Sequence, residues 1–180
     1  MTQQIQLIID TDPGVDDAIA ILMAMAASEV EILGLTTVGG NVPLARATRN
    51  ALSLLQAAGR SDIPVAKGAS RPLRGKFAYA PHFHGPGGLS QRLPDPANGP
   101  VEDGAVKFLY DQLTGERGEA VLVALGPLTN LAMLLRDCPI ALEQAKQIVV
   151  MGGAVNTPGN VTPEAEFNFY CDPVAADIVL

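Results

Sequence analysis

Residues 6–22 read QLIIDTDPGVDDAIAIL, and this stretch decides how the rest of the chain is organised. Residues 5–9, IQLII, form a short unbroken apolar run, the pattern of a strand covered on both faces. Residues 16–28, DDAIAILMAMAAS, follow the helical period, with acids in the first turn where the helix dipole favours them. A buried strand feeding a helix is the first unit of a parallel α/β sheet. The link between the two holds Asp10, Asp12, Asp16 and Asp17, four acids within eight positions. Carboxylates that close repel one another, and a buried one needs a partner. Asp10 and Asp12 fall on one side of an extended segment, Pro13 and Gly14 turn the chain, and Asp16 and Asp17 open the helix. The turn therefore folds the second pair towards the first. A helix start or a turn accounts for any one of these acids taken alone. Four about one turn imply a cation or a hydroxyl-rich ligand.

Outward from this unit the alternation repeats. VEILGLTTV (30–38) reads as a strand, PLARATRNALSLLQAAG (43–59) as a helix with Pro43 in its first turn and Gly59 at its end, and IPVAKG (63–68) as a short strand. Residues 68–100 lose all periodicity and are rich in Gly, Pro and single aromatics. A loop of that length inside a domain is functional or disordered. VEDGAVKFLYDQLTG (101–115) and GPLTNLAMLLRDCP (126–139) read as helices, and AVLVAL (120–125) and KQIVVMGG (146–153) as strands. The expected fold is α/β, a Rossmann-like, open, mostly parallel sheet with helices on both faces, in one domain over residues 1–180. In YCDPVAADIVL (170–180), Asp172 suits an N-cap, Pro173 the first helical position, and Val174, Ile178 and Val179 an apolar stripe. A helix that stops on Ile-Val-Leu leads us to expect the N-terminal part of a longer protein, a domain truncated before its C-terminal elements.

Composition narrows the partner. A chain of 180 residues that is 48% hydrophobic and 17% charged can bury a substantial core. Twelve Lys and Arg against nineteen Asp and Glu give a net charge of −7, which argues against binding nucleic acid. MTQQIQLIID has neither the basic start nor the apolar length of a signal peptide, and no apolar run reaches spanning length, so a cytoplasmic protein without membrane contact is expected. Cys138 and Cys171 stand apart in apolar surroundings and read as buried free thiols. NVT (160–162) matches a glycosylation sequon, but Pro163 follows it and no export signal precedes it.

Ligands of an open parallel sheet bind beyond the carboxyl ends of its strands. After the first strand stand the four aspartates; after the second, Thr36, Thr37, Gly39, Gly40 and Asn41; after the fourth, Leu125 before GPLTN; after the fifth, Met151, then Asn156, Asn160, Glu166 and Asn168. Acids and amides dominate, with almost no Lys or Arg. Neither GxxxxGK[ST] nor GxGxxG is present, so a phosphate cradle is not indicated. Hard cations take oxygen ligands, about six to eight for Ca²⁺, and carboxylates and amides also bind vicinal hydroxyls. A metal and a sugar diol together account for the crowding.

DTDPGVDDA after the first strand resembles the signature of the inosine-uridine-preferring nucleoside hydrolases. The resemblance extends through TTVGGN (36–41), TRNA (48–51), HFHG (82–85), LGPLTNLA (125–132), VVMGGA (149–154) and GNVTPEAEFNFYCDPVAA (159–176). It implies a Rossmann-like fold, one Ca²⁺, a ribonucleoside substrate, hydrolysis of the N-glycosidic bond to ribose and free base, and a homo-oligomer, dimer or tetramer. By position it implies Asp12 and Asp17 as carboxylate ligands of the metal, the Leu125 carbonyl as a third, and Asp12 also as the base that deprotonates the metal-bound water. Asp16, Asn41, Asn160, Glu166 and Asn168 would hold ribose hydroxyls, with Asp10 behind them steadying the loop. His84 would sit near the base or ribose, whereas His82 is given a structural or peripheral role. Met151 and Phe167 could pack on sugar or base, although core packing explains each as well. The resemblance also implies a further metal-binding aspartate and a histidine or similar group in a C-terminal part beyond Leu180. A haloacid-dehalogenase-like phosphatase also carries DxD after its first strand, but the Lys and later acidic pair it needs are not found at the strand ends. A third possibility is an inactive truncated relative that binds a ribosyl ligand or a partner without turnover.

Overall fold

The computed structural model describes residues 4–115 and 118–180. Among them, β1 (Ile5–Thr11), β2 (Val30–Thr37), β3 (Val65–Lys67), β4 (Val121–Ala124) and β5 (Gln147–Val150) form one sheet in the order β3-β2-β1-β4-β5. Every neighbouring pair is parallel. The helices are α1 (Val15–Ala26), α2 (Leu44–Ala57), the single turn α3 (Pro81–His84), α4 (Ala105–Thr114), α5 (Thr129–Asp137), α6 (Phe167–Cys171) and α7 (Pro173–Val179). A 3₁₀ turn covers Leu142–Gln144. The chain steps outward from β1 to β3, then returns to the other side of β1 for β4 and β5. That reversal makes the gap between the carboxyl ends of β1 and β4 the switch point where such sheets bind ligands.

Strand alternation builds a core on each face of the sheet. Ile8, Leu122 and Ala124 pack with Phe108 and Leu109 of α4, Leu131 and Leu134 of α5, and Ala175 and Ala176 of α7. Ile9, Leu35 and Val65 pack on the opposite side with Ile21 of α1 and Leu54 and Leu55 of α2. Leu7 pairs with Ile32 and Ile8 with Gly34, so Leu33 is an extra residue in β2. The bulge sets Gly34 under α4, where any Cβ would run into the Phe108 ring.

The aperiodic 68–100 stretch is tied to α2. Asn50 Nδ2 donates to Gly87 O at 2.8 Å, Ser53 Oγ to Pro94 O at 2.8 Å, and an Arg49 terminal nitrogen to Leu93 O at 3.1 Å. It also contributes α3, the turn that carries the two histidines. At the other end of the chain, Asp172 caps α7 and Pro173 opens it, as their spacing predicts. The fully interior Asp172 carboxylate accepts from Ala175 N (3.1 Å), Thr129 Oγ1 (2.7 Å) and Leu73 N (2.8 Å). One side chain thereby joins α7, α5 and the 68–76 segment. Cys138 and Cys171 are free thiols, and no helix among the described residues is long and apolar enough to cross a membrane.

Replacing Asp172 with Ala removes the acceptor of three donors at once. The substitution is expected to lower unfolding free energy by roughly 2–4 kcal/mol, read as a shifted urea midpoint with an unchanged m-value.

Candidate active site

Asp10 is the last paired residue of β1 on the β4 side, opposite Ala124, and pairs with Thr36 on the other side. Its carboxylate is entirely buried, where Oδ1 accepts from Thr36 Oγ1 (2.5 Å) and Asn130 Nδ2 (2.7 Å). Its Oδ2 has no hydrogen-bond partner among the described residues. Asn130 also donates to Thr37 O at 3.1 Å and accepts from Ala69 N at 2.9 Å, so one amide fastens β1, β2 and the 68–76 segment to α5.

Asp12 follows the strand and is likewise fully buried. Two glycines make room for it. A Cβ on Gly40 would overlap Oδ2, and one on Gly126 would lie 2.6 Å from Oδ1. The Asn41 N–H donates to Oδ2 at 2.5 Å, while Oδ1 has no partner among the described residues.

Asp17, on the first turn of α1, turns back over this loop. It accepts from Thr11 Oγ1 (2.7 Å), Gly14 N (3.0 Å) and Asn41 Nδ2 (3.3 Å). Gly14 has extended backbone with negative φ. The glycine is required for space and not for a turn, because a Cβ there would meet His84 Nδ1 at 2.8 Å and Asn41 Nδ2 at 3.0 Å. His84 Nδ1 accepts from Val15 N at 3.3 Å, which places the proton of the neutral ring on Nε2. The exposed Asp16 carboxylate lies 3.7 Å from the same Nδ1.

Across the cleft, the Glu166 carboxylate caps α6. Its Oε1 accepts from Asn168 N at 3.0 Å, and Oε2 accepts from Gly153 N at 2.9 Å and Phe169 N at 3.3 Å. Asn168 Nδ2 donates to Leu125 O at 2.8 Å and Met151 O at 2.9 Å, which leaves Oδ1 as the free polar atom of its side chain.

Asp16, Asp17, Asn41, His84, Leu125, Asn160, Glu166 and Asn168 line one cleft of about 230 Å³ at this edge, with Met151 and Phe167. Asp10 and Asp12 are fully buried and do not line it; Asp12 is bonded to Asn41 of its wall. Asn156 and His82 do not line it. Ala80, Phe83 and Val161 complete the wall and were not singled out by the sequence; Phe83 is 84% exposed at the mouth. A lone aromatic in an aperiodic loop carries no signal of where it points. Asn130 was also missed, although an amide opening an otherwise apolar helix directly after a strand is a visible cue. No Lys or Arg lines the cleft among the described residues.

Burial dominates the electrostatics. It pushes Asp10 up to about 6 against the hydrogen bonds of Thr36 and Asn130. Asp12 is raised well above the usual carboxylate range by burial and then by the Asp17 charge. Asp17 is raised by burial and held back by the Gly14 and Thr11 donors. These carboxylates are raised chiefly by burial, and Asp10 and Asp12 each keep one oxygen without a partner among the described residues.

Fold and cleft together define an α/β protein with an acidic, amide-rich ligand site at its switch point. The chain belongs to the inosine-uridine preferring nucleoside hydrolase family, whose match spans residues 7–180. It is 50% identical over 176 residues to uridine nucleosidase 1 of Arabidopsis thaliana, covering 97% of this chain and 52% of that protein. It is 46% identical over 174 residues to the pyrimidine-specific ribonucleoside hydrolase RihA of Photobacterium profundum, covering 96% and 56%. Among solved structures it resembles the purine-preferring ribonucleoside hydrolase from Gardnerella vaginalis, with a TM-score of 0.93 and 35% identity over 97% of this chain and 57% of that one. The chain thus spans about half the length of the relatives it matches.

A raised carboxylate pKa makes stability fall with rising pH. Below the ordinary value of 3.8 both states hold the proton; between 3.8 and about 6 only folded Asp10 keeps it; above that the penalty is constant. In metal-free buffer, Asp10 therefore contributes a loss of about 3 kcal/mol across this window. Asp10→Asn is expected to remove that part of the slope, measured by urea unfolding at pH 4 and pH 7.

Proposed function

We propose that this cleft hydrolyses the N-glycosidic bond of ribonucleosides, releasing ribose and a free base, with Ca²⁺ as cofactor. The observation that carries the reading is the Asp12 carboxylate, raised in pKa and buried behind Asn41 of a cleft with carboxylate and amide walls, its Oδ1 unpartnered among the described residues. Asp12, Asp17 and the Leu125 carbonyl would hold the metal, and the Leu125 oxygen keeps a lone pair beyond its bond to Asn168. Among the described residues no three His, Cys, Asp or Glu side chains gather in metal-binding geometry. Water, ribose hydroxyls and the further aspartate implied by the family resemblance would supply the remaining oxygens. When bound, Ca²⁺ supplies Lewis-acid activation of a water and a grip on vicinal hydroxyls.

The chain's own groups do the rest. Asp12 takes the proton of the attacking water at Oδ1. Asp16, Asn41, Asn160, Glu166 and Asn168 hold the sugar, Asn168 through Oδ1 and Glu166 through the capacity left on Oε1. The same carboxylates favour the positive charge that develops on ribose as the bond to nitrogen lengthens. His84, fixed through Nδ1, presents Nε2–H as a donor for the departing base. Asp10 holds the loop from below. Among the described residues no Lys or Arg stands in the cleft walls, and their acids would repel the substrate charge of the phosphatase alternative. The reading extends to a cytoplasmic enzyme that self-associates, supported by the exposed Ile19, Leu22 and Met23 of α1.

The test is reducing-sugar release from uridine and inosine with added Ca²⁺. Asp12→Asn is expected to cut the rate by about 10²–10⁴-fold; an unchanged rate overturns the assignment, and ligand binding without any release in the unsubstituted protein points to the inactive binder. Independently of turnover, Ca²⁺ is expected to raise the melting temperature at pH 7, and less so at pH 4.5, where protons compete for Asp12 and Asp17.

A further inference from the structure

The basic residues of this acidic chain are not evenly spread. Arg46 and Arg49 stand on the outer side of α2, and Arg92 reaches them from the loop that follows α3. The three arginines line two adjoining surface clefts, one of about 420 Å³ and one of about 290 Å³. A single acid, Asp95, pairs with two of them. Arg49 Nε donates to Asp95 Oδ1 at 2.7 Å, and an Arg92 terminal nitrogen lies 3.4 Å from Asp95 Oδ2. The Arg46 guanidinium makes no hydrogen bond or ion pair with any described residue. Three fixed cations against one carboxylate leave a local excess of about two positive charges, in a protein of net charge −7.

We propose that Arg46, Arg49 and Arg92 form a binding site for a phosphoryl anion, separate from the acidic cleft. Guanidinium forks match tetrahedral oxyanions in charge and donor geometry. Arg49, only 23% exposed, is anchored by Asp95 and by Leu93 O, so its donors are already oriented. Arg92 is 81% exposed and Arg46 is unpaired, so both can close on a ligand without breaking a strong internal bond. Such an anion would clamp the 86–93 loop onto α2. That loop reaches the acidic site, because Asn50 Nδ2, one residue from Arg49, donates both to Gly87 O (2.8 Å) and to Pro13 O (3.3 Å). Occupancy of the arginine cleft therefore bears on the loop that carries Asp12.

The experiment is calorimetric titration at low ionic strength with two probes, inorganic phosphate and ribose 5-phosphate, against the unsubstituted protein, Arg46→Ala, Arg92→Ala and the control Lys107→Ala. Both arginine side chains are outside the core, and circular dichroism verifies that each variant folds. Inorganic phosphate is expected to bind and to weaken about tenfold in each arginine variant, with Lys107→Ala unchanged. Tighter binding of ribose 5-phosphate would identify the sugar phosphate as the source of the phosphoryl group, and equal binding would identify free phosphate. No heat with either probe up to about 10 mM, or equal binding in all four proteins, overturns the site.

Discussion

The structure depends on the burial of the Asp12 carboxylate without a counter-charge. Its Oδ2 is held by one backbone donor and its Oδ1 by none, in a space that exists because residues 40 and 126 lack side chains. Placing a carboxylate there disfavours folding, and Asp10 and Asp17 add to the cost by proximity and by their own desolvation. Two cores on either face of the sheet outweigh it. Local destabilisation of this kind collects where a ligand is meant to relieve it. Fold stability and the charge state of this loop are therefore coupled at the same atoms.

The polar groups around the acids divide into those already satisfied and those still available. Thr11, Thr36, Asn130 and the Gly14 N–H are committed to Asp17 or Asp10 and hold the loop in shape. Asn168 gives its donors to two carbonyls, and Glu166 uses most of its acceptor capacity to start α6. What is left available is thus a set of acceptor atoms, Asn168 Oδ1 in the cleft wall and Asp12 Oδ1 buried behind Asn41, with His84 in the same wall. An acceptor-rich pocket suits a cation and donor hydroxyls.

Sequence legibility followed the range of the interactions concerned. The alternation of strands and helices along the chain, the acid loop and the Asp172–Pro173 helix start rest on local period and capping, and each is visible within a short window. The residues that gather at the cleft were legible because a parallel sheet brings its strand ends to one edge. Gly14 was not, since its role depends on His84, seventy positions away in sequence. Glu166 read as a sugar ligand because nothing nearby shows that its carboxylate also caps α6 and reaches Gly153. The 68–100 stretch has no period because side chains of α2, such as Asn50 and Ser53, hold its carbonyls in place of a ladder of its own.

The same reasoning explains why the cleft is furnished with asparagines where many ligand sites use lysine or arginine. A cation on a side chain would neutralise Asp12 and Asp17 permanently. It would also donate only, whereas Asn41 and Asn168 can each bind the protein with one end and accept or donate with the other. Asn41 shows the consequence most directly, because its backbone fixes Asp12 and its side chain fixes Asp17, holding the two carboxylates in one relative position while leaving both charges uncompensated. The acids stay paired in space and unpaired in charge, which is the condition a divalent cation satisfies.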